Sequence, residues 1–240
     1  MARRRNPNIE ILTVAVDRLG PVADEMVFLG GCATGLLITD PAAPSVRVTT
    51  DVDVITEVAS LRDYYQLAER LRQRGFVEDQ SQGAPICRWK LESTILDVMP
   101  TKPQLLGFGN RWYEPAVAAA EFVELPSGRS IRMVLAPYFL ATKLEAFDGR
   151  GKSDYLLSRD IEDIVAVLDG RPEILDEILK ASKSLQSYLA YRFATLLESR
   201  EFIEALAGHL PGDAASQARM PLIKERIEAI AGLGARERRQ

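Results

Sequence analysis

Two aspartates, Asp51 and Asp53, stand one residue apart in the β-branched run "RVTTDVDVITEV". In a strand, residues two apart leave the same face, roughly 7 Å apart along the backbone. Val52, Val54 and Thr56 then face the other way, toward a core. Two ionised carboxylates this close repel, and burial sharpens the repulsion. A divalent cation relieves it, and hard oxygen donors with retained waters suit Mg2+ or, as a substitute, Mn2+. A third aspartate, Asp97, lies in "TILDVMP", which also reads as a strand. If the two strands are neighbours, three carboxylates converge, enough to hold two metals about 4 Å apart for in-line phosphoryl displacement. Glu92 is the runner-up for the third acid, on the near side of an expected turn.

A glycine pair, Gly30–Gly31, closes the short apolar strand "MVFLG" and opens "CATGLLI", which reads as a short helical turn. Without side chains, backbone amides can approach a polyphosphate, and a helix start adds partial positive charge. Each feature also has a plain structural reading. An Asp-x-Asp pair is common on a half-exposed strand, and a Gly-Gly pair is common in any turn. Their order, with a later strand aspartate, favours the chemical reading.

These groups need elements to position them. Ile9, Leu12, Val16 and Leu19 share one helical face in "IEILTVAVDRL". "SLRDYYQLAERLRQRG" reads as a helix capped by Ser60 and stopped at Gly75. "FVED", "ICRWKL" and "TILDVMP" read as strands, and "EFVEL" and "SIRMV" as a hairpin through "PSGR". "TDPAAPSV" reads as a loop that could shape a substrate entrance, and "WYEPAVAAA" as a short helix. From Pro137 onward the segments are helical, among them one long helix in "RPEILDEILKASKSLQSYLAYRFATLLES". The expected fold is α/β of the α+β kind: a small mixed sheet flanked by helices over residues 1–135, then a helical region over 136–240 that completes the cleft.

Composition narrows the classes. A net charge of −4 over 240 residues gives no overall electrostatics for nucleic acid. Arg3, Arg4, Arg5, Arg236, Arg238 and Arg239 cluster at the ends and read as solvated tails. Two cysteines, Cys32 and Cys87, make no disulfide framework and no zinc set, and read as buried thiols in a reducing compartment. The lone histidine, His209, reads as a surface helix residue and excludes mechanisms needing two. No signal peptide and no apolar run of transmembrane length is seen, so the cytoplasm is expected.

A strand ending in Gly-Gly, a short helix, then Asp-x-Asp and a third acidic residue resembles the DNA polymerase β-type nucleotidyltransferase superfamily. More narrowly, "GGCATG…RVTTDVDV" is similar to the AbiEii-like abortive-infection toxin nucleotidyltransferases, with Arg47, Thr49, Asp51 and Asp53 matching their pattern. Lys143, Arg150, Asp160 and Asp163 in "ATKLEAFDGRG…SRDIEDI" are similar to that family's later signature. The resemblance covers roughly residues 26–168. It implies transfer of a nucleoside monophosphate from an NTP such as ATP, with Asp51, Asp53 and Asp97 on the metal. Gly30 and Gly31 would hold the triphosphate, Lys143 would contact phosphate, and Asp160 would orient Lys143 or the acceptor. It also implies a tRNA 3′ end as acceptor and a cognate antitoxin protein as partner. A small-molecule acceptor of the antibiotic type, a protein acceptor, and a relative that binds NTP or RNA without turnover are the alternatives. Plain readings stand beside these: Lys143 as a lysine covering apolar surface with its ammonium wet, and Asp160 as a first-turn helix acid behind a Ser158 cap. The charges of "GRGKSD" around Arg150 could be merely solvated. Trp112 and Tyr113 in "GFGNRWYEP" could stack on a base or simply clamp their loop.

Overall fold

The computed structural model describes residues 6–150 and 154–237, with side chains through residue 234. The terminal arginines Arg3, Arg4, Arg5, Arg238 and Arg239, and the side chain of Arg236, lie outside the described residues. The chain divides into two compact units. One holds the chain through Leu36 together with Arg47–Leu135; the other holds Leu37–Val46 together with the chain from Ala136 onward.

The first unit is built on a seven-stranded sheet. In chain order its strands are β1 (Met26–Leu29), β2 (Asp51–Thr56), β3 (Val77–Glu78), β4 (Arg88–Leu91), β5 (Thr94–Pro100), β6 (Glu121–Glu124) and β7 (Ser130–Met133). Their spatial order is β3-β4-β5-β2-β1-β7-β6. The β2–β5 and β1–β7 pairs are parallel and the other pairs antiparallel, so the sheet is mixed as the sequence predicts. Helices α1 (Pro7–Leu19), α2 (Gly30–Leu37), α3 (Leu61–Gln73) and α4 (Tyr113–Ala118) accompany it.

Period-two alternation decides which face is buried. Val52, Val54, Leu96, Val98, Phe28 and Trp89 join Leu12, Ala15, Val16 and Leu19 of α1 and Leu67, Ala68 and Leu71 of α3 in one core. Asp51, Asp53 and Asp97 occupy the alternate positions of β2 and β5 and face away from that core. Ser60 caps α3 by accepting from the Asp63 N–H, and Gly75, at φ +87°, takes the left-handed turn after it.

The second unit holds α5 (Ala136–Arg150), α6 (Arg159–Gly170), α7 (Ile174–Lys180), α8 (Lys183–Glu198), α9 (Arg200–Ala205), α10 (Ala214–Gln217) and α11 (Met220–Glu237). α8 packs on α11 and α5 on α6. The expected single helix over 171–199 is two. Ala181 is extended, and the Ser182 hydroxyl accepts from the Leu185 N–H, so a cap stops α7 and starts α8. The Pro-rich stretch 39–46, expected as a loop near a substrate entrance, belongs to this unit with the two residues before it. The Thr39 and Asp40 amides each donate to the Gly170 carbonyl at 2.9 Å, and Arg171 Nη1 donates to the Leu37 carbonyl at 2.7 Å. His209, expected on the surface, is partly buried and donates through Nε2 to the Tyr155 carbonyl at 2.7 Å. No helix among the described residues is long and apolar enough to cross a membrane.

Leu12 is fully buried between α1 and the sheet. Leu12→Ala is expected to destabilise the sheet unit by about 2–5 kcal/mol, read as a lower denaturant midpoint followed by circular dichroism.

Candidate active site

The site grows from the start of α1. The Asn6 side chain caps that helix by accepting from the Asn8 N–H, and Pro7 occupies its first turn. Asn8 is buried on the same face as Leu12, Ala15, Val16 and Leu19. Its amide cannot stay unpaired there without cost. Its Nδ2 donates to the Arg47 carbonyl at 2.7 Å and more weakly to the Gly31 carbonyl at 3.5 Å, while its Oδ1 accepts from the Thr49 N–H at 3.0 Å. One side chain thus fixes the run entering β2. The Thr49 hydroxyl then donates to Asp51 Oδ1 at 2.6 Å. Sequence reasoning missed Asn8; the available signal was an amide on the apolar face of an amphipathic helix.

Gly30 makes room for Asp53. Leu29, the last residue of β1, is the register partner of Asp53, so Gly30 follows directly at the end of the pair. Gly30 has φ +77°, and a Cβ built there would lie 1.8 Å from Asp53 Oδ2. The second glycine serves Arg47: a Cβ at Gly31 would come 3.0 Å from Arg47 Nη2 and 3.4 Å from Thr49 Cβ. Gly30, Gly31, Arg47, Thr49, Asp51 and Asp53 are therefore brought together. The space that the two absent side chains leave is used by the carboxylate of Asp53 and the guanidinium of Arg47.

Asp97 is the register partner of Asp53 across the parallel β2–β5 pair, on the same face. Its carboxylate is not free, however. Arg88, the register partner of Asp97 on β4, donates from Nε to Oδ1 at 2.8 Å and from Nη2 to Oδ2 at 2.7 Å. The same Nη2 reaches Asp51 Oδ2 at 3.3 Å. Hydrogen bonding to Asp97, reinforced by the Asp97 and Asp51 charges, raises the Arg88 pKa above its already high value and keeps the side chain cationic. Burial, with the Asp97 and Asp53 charges adding, pushes the Cys87 thiol up to about 12, so it is neutral and unsuited to be a nucleophile. Sequence reasoning passed over Arg88, whose signal was a cation alternating with the core residues Cys87 and Trp89 in "ICRWKL". Glu92, the runner-up acid, sits exposed in the β4–β5 turn with left-handed φ 52° and pairs with Arg18 at 2.8 Å.

A hard divalent cation fits the pair Asp51 and Asp53. Both project from one face as oxygen donors, and Mg2+ characteristically takes one or two carboxylates, several waters and substrate phosphates. Among the described residues no group of three or more His, Cys, Asp or Glu side chains converges as a ligand set. Asp51, Asp53 and Asp97, the ligand set expected from sequence, are neighbours on one sheet face, and Arg88 bonds both oxygens of Asp97.

The helical unit carries its own charged centre. Lys143 on α5 is buried, and its Nζ lies 2.6 Å from Asp163 Oδ2 and 3.2 Å from Asp160 Oδ1. Arg150, at the end of α5, donates from Nε and Nη2 to Asp160 at 2.9 and 2.8 Å. The plain alternative of a wet ammonium on Lys143 does not hold: two buried aspartates hold it. Ser158 does cap α6, and Asp160 does lie in its first turn. Burial acts to raise the Asp160 pKa, but the Arg150 hydrogen bonds and the Lys143 charge outweigh it, and the net shift is downward. Trp112 is buried with only 7% of its surface exposed, which leaves its ring to clamp the loop rather than to stack on a base.

No protein-family model matches the chain, and no curated protein matches it. Solved structures do. The "putative nucleotidyltransferase" from H. pylori matches with TM-score 0.51 at 13% identity, covering 99% of each chain. JHP933 from Helicobacter pylori matches with TM-score 0.50 at 13% identity, covering 100% of this chain and 96% of its own. An antigenic nucleotidyltransferase-like protein from Paracoccidioides brasiliensis is 20% identical over 83% of this chain and 91% of its own, with TM-score 0.48. The fold is thus similar to that of nucleotidyltransferase-like proteins: a mixed sheet flanked by helices, with helices following.

Two outcomes follow from this geometry. Gly30→Ala combines a left-handed φ with the collision against Asp53, so it is expected to cost more than the about 1–2 kcal/mol of the backbone alone; denaturant unfolding measures it. Asp160, with its folded pKa below the ordinary 3.8, contributes stability that is complete above that value and is lost as pH falls through the lowered folded value. The stability gap between wild type and Asp160→Asn should therefore be constant near neutrality and shrink below the ordinary carboxylate range, as read from denaturant midpoints across an acid series.

Proposed function

We propose that the chain is a divalent-cation-dependent nucleotidyltransferase that moves a nucleoside monophosphate from an NTP to an acceptor hydroxyl and releases pyrophosphate. The observation that carries this reading is the pair Asp51 and Asp53 on one sheet face, with Asp53 seated over Gly30 at the β1–α2 junction. Asp51 and Asp53 hold the cation, which supplies positive charge to the phosphate oxygens. Thr49 and, behind it, Asn8 keep Asp51 in one orientation. Arg47, whose guanidinium lies beside Gly31 at the start of α2, is the cation we assign to the anionic phosphate chain. The resemblance alone assigns Lys143 to a phosphate oxygen; within the helical unit it is held by Asp160 and Asp163. Positioning and fixed charge supply most of the rate in such chemistry.

The resemblance to AbiEii-like enzymes extends the reading to a tRNA 3′ end as acceptor, and to a toxin paired with an antitoxin protein. The fold neighbours support nucleotidyl transfer only through shared architecture.

Asp53→Asn removes one of the two ligands without changing side-chain size. It is expected to lower transfer at least about a hundredfold while circular dichroism stays that of the wild type. The assay supplies Mg2+ or Mn2+, each α-labelled NTP, and in turn total RNA, small hydroxylated acceptors and proteins. Label on tRNA supports the toxin reading; full activity in the variant removes the ligand assignment.

A further inference from the structure

Arg88 is the cation that the three aspartates already possess, and its hydrogen bonds are unequally used. Nε and Nη2 form a fork on Asp97, and the second N–H of Nη2 turns toward Asp51. Nη1, with two further N–H donors, has no hydrogen-bond partner among the described residues, and 23% of the side chain is open to solvent. Because the guanidinium is planar, the edge formed by Nη1 and Nη2 is the one that faces Asp51.

The fork is built to stay. Asp97 and Arg88 are register partners on adjacent antiparallel strands, and the Asp97 side chain is only 10% exposed. Moving Arg88 aside to release Asp97 as a ligand would break two charge-assisted hydrogen bonds and take the partly buried guanidinium from its counter-ion, which is the costly way to part such a pair. Keeping it leaves Asp51 and Asp53, on one sheet face, as the two carboxylates offered to a divalent cation.

We propose that Asp97 is a positioning residue whose task is to aim Arg88, and that Arg88 binds an anionic phosphate oxygen of the nucleotide through Nη1 beside Asp51. This rests on the nucleotidyl-transfer reading. The site is then two carboxylates, one divalent cation and a fixed guanidinium, in place of three carboxylates around the metal. Arginine suits the task where lysine does not, because one edge grips a carboxylate while the other still presents donors.

The test separates metal binding from nucleotide binding in the intact protein. Mn2+ affinity is read by electron paramagnetic resonance. In the presence of Mn2+, affinities for ATP, CTP, GTP and UTP are compared with those for the matching nucleosides. Asp53→Asn is the reference for metal loss. Asp97→Asn and Arg88→Gln are expected to keep Mn2+ affinity within about twofold of wild type, yet to weaken triphosphate binding about tenfold or more with nucleoside binding unchanged. Arg88→Lys should recover only part of the loss, since it restores charge without the fork. If Asp97→Asn fails to fold, the double variant R88Q/D97N, which removes both charges together, carries the same expectation.

Loss of Mn2+ in Asp97→Asn to the extent seen in Asp53→Asn would make Asp97 a ligand and overturn the proposal. So would a marked gain of Mn2+ affinity in Arg88→Gln, which would make Arg88 a competitor of the metal. Unchanged triphosphate affinity in Arg88→Gln overturns it too, while leaving nucleotidyl transfer standing. A wild-type protein that binds neither Mn2+ nor any triphosphate sinks both.

Discussion

Asp53 and Asp97 stand side by side on parallel strands, and Asp51 lies two residues before Asp53 on the same face. Three like charges so placed push the strands apart unless something of opposite sign sits among them. In this chain that something is covalently attached: the Arg88 guanidinium, two strands from β2, bonded to two of the three carboxylates. The surrounding structure follows from this arrangement. β4 must pair with β5 in the one register that sets Arg88 opposite Asp97. The first glycine must lack a side chain because Asp53 occupies its place. Asn8, buried at the start of α1, grips the backbone of the loop carrying Thr49 on both sides.

The two charged centres solve the problem differently. In the helical unit, Lys143 and Arg150 meet Asp160 and Asp163, so cations and carboxylates balance. In the sheet unit Arg88 meets Asp97 with two donors and Asp51 with one, and Arg47 lies beside Gly31 close to Thr49. A balanced buried centre stabilises one conformation.

What could be read from the sequence was what local spacing encodes. Alternation in "DVDVIT" and "TILDVMP" reports directly which residues share a face, and serine caps report helix starts. The Asp51–Asp53 pair, its opposition to the core, and the mixed sheet with helices after it were legible for that reason. Partners from other strands were not. Arg88 is adjacent to Asp97 only because β4 folds back on β5, and its counter-ion role needs the register. Nor was the break at Ala181–Ser182 visible, since the apolar spacing of α7 and α8 continues through it and only the cap divides them. For Lys143 the helix alone left a solvated head as the plain reading, and only the resemblance pointed to Asp160 as its partner, since its own helix shows nothing of the aspartates that α6 brings to it.

The placement of Leu37–Val46 has a consequence for synthesis. The chain crosses between its units after Leu36, after Val46 and after Leu135. Thr39 and Asp40 find their acceptor in Gly170, and Asp40 finds its cation in Arg219, more than a hundred residues later. On the ribosome this early segment waits unpartnered while the whole sheet is made, and contacts so distant in sequence form slowly. The order of birth therefore differs from the order of assembly, and a chain released early would carry an apolar, proline-bearing strip with nowhere to dock.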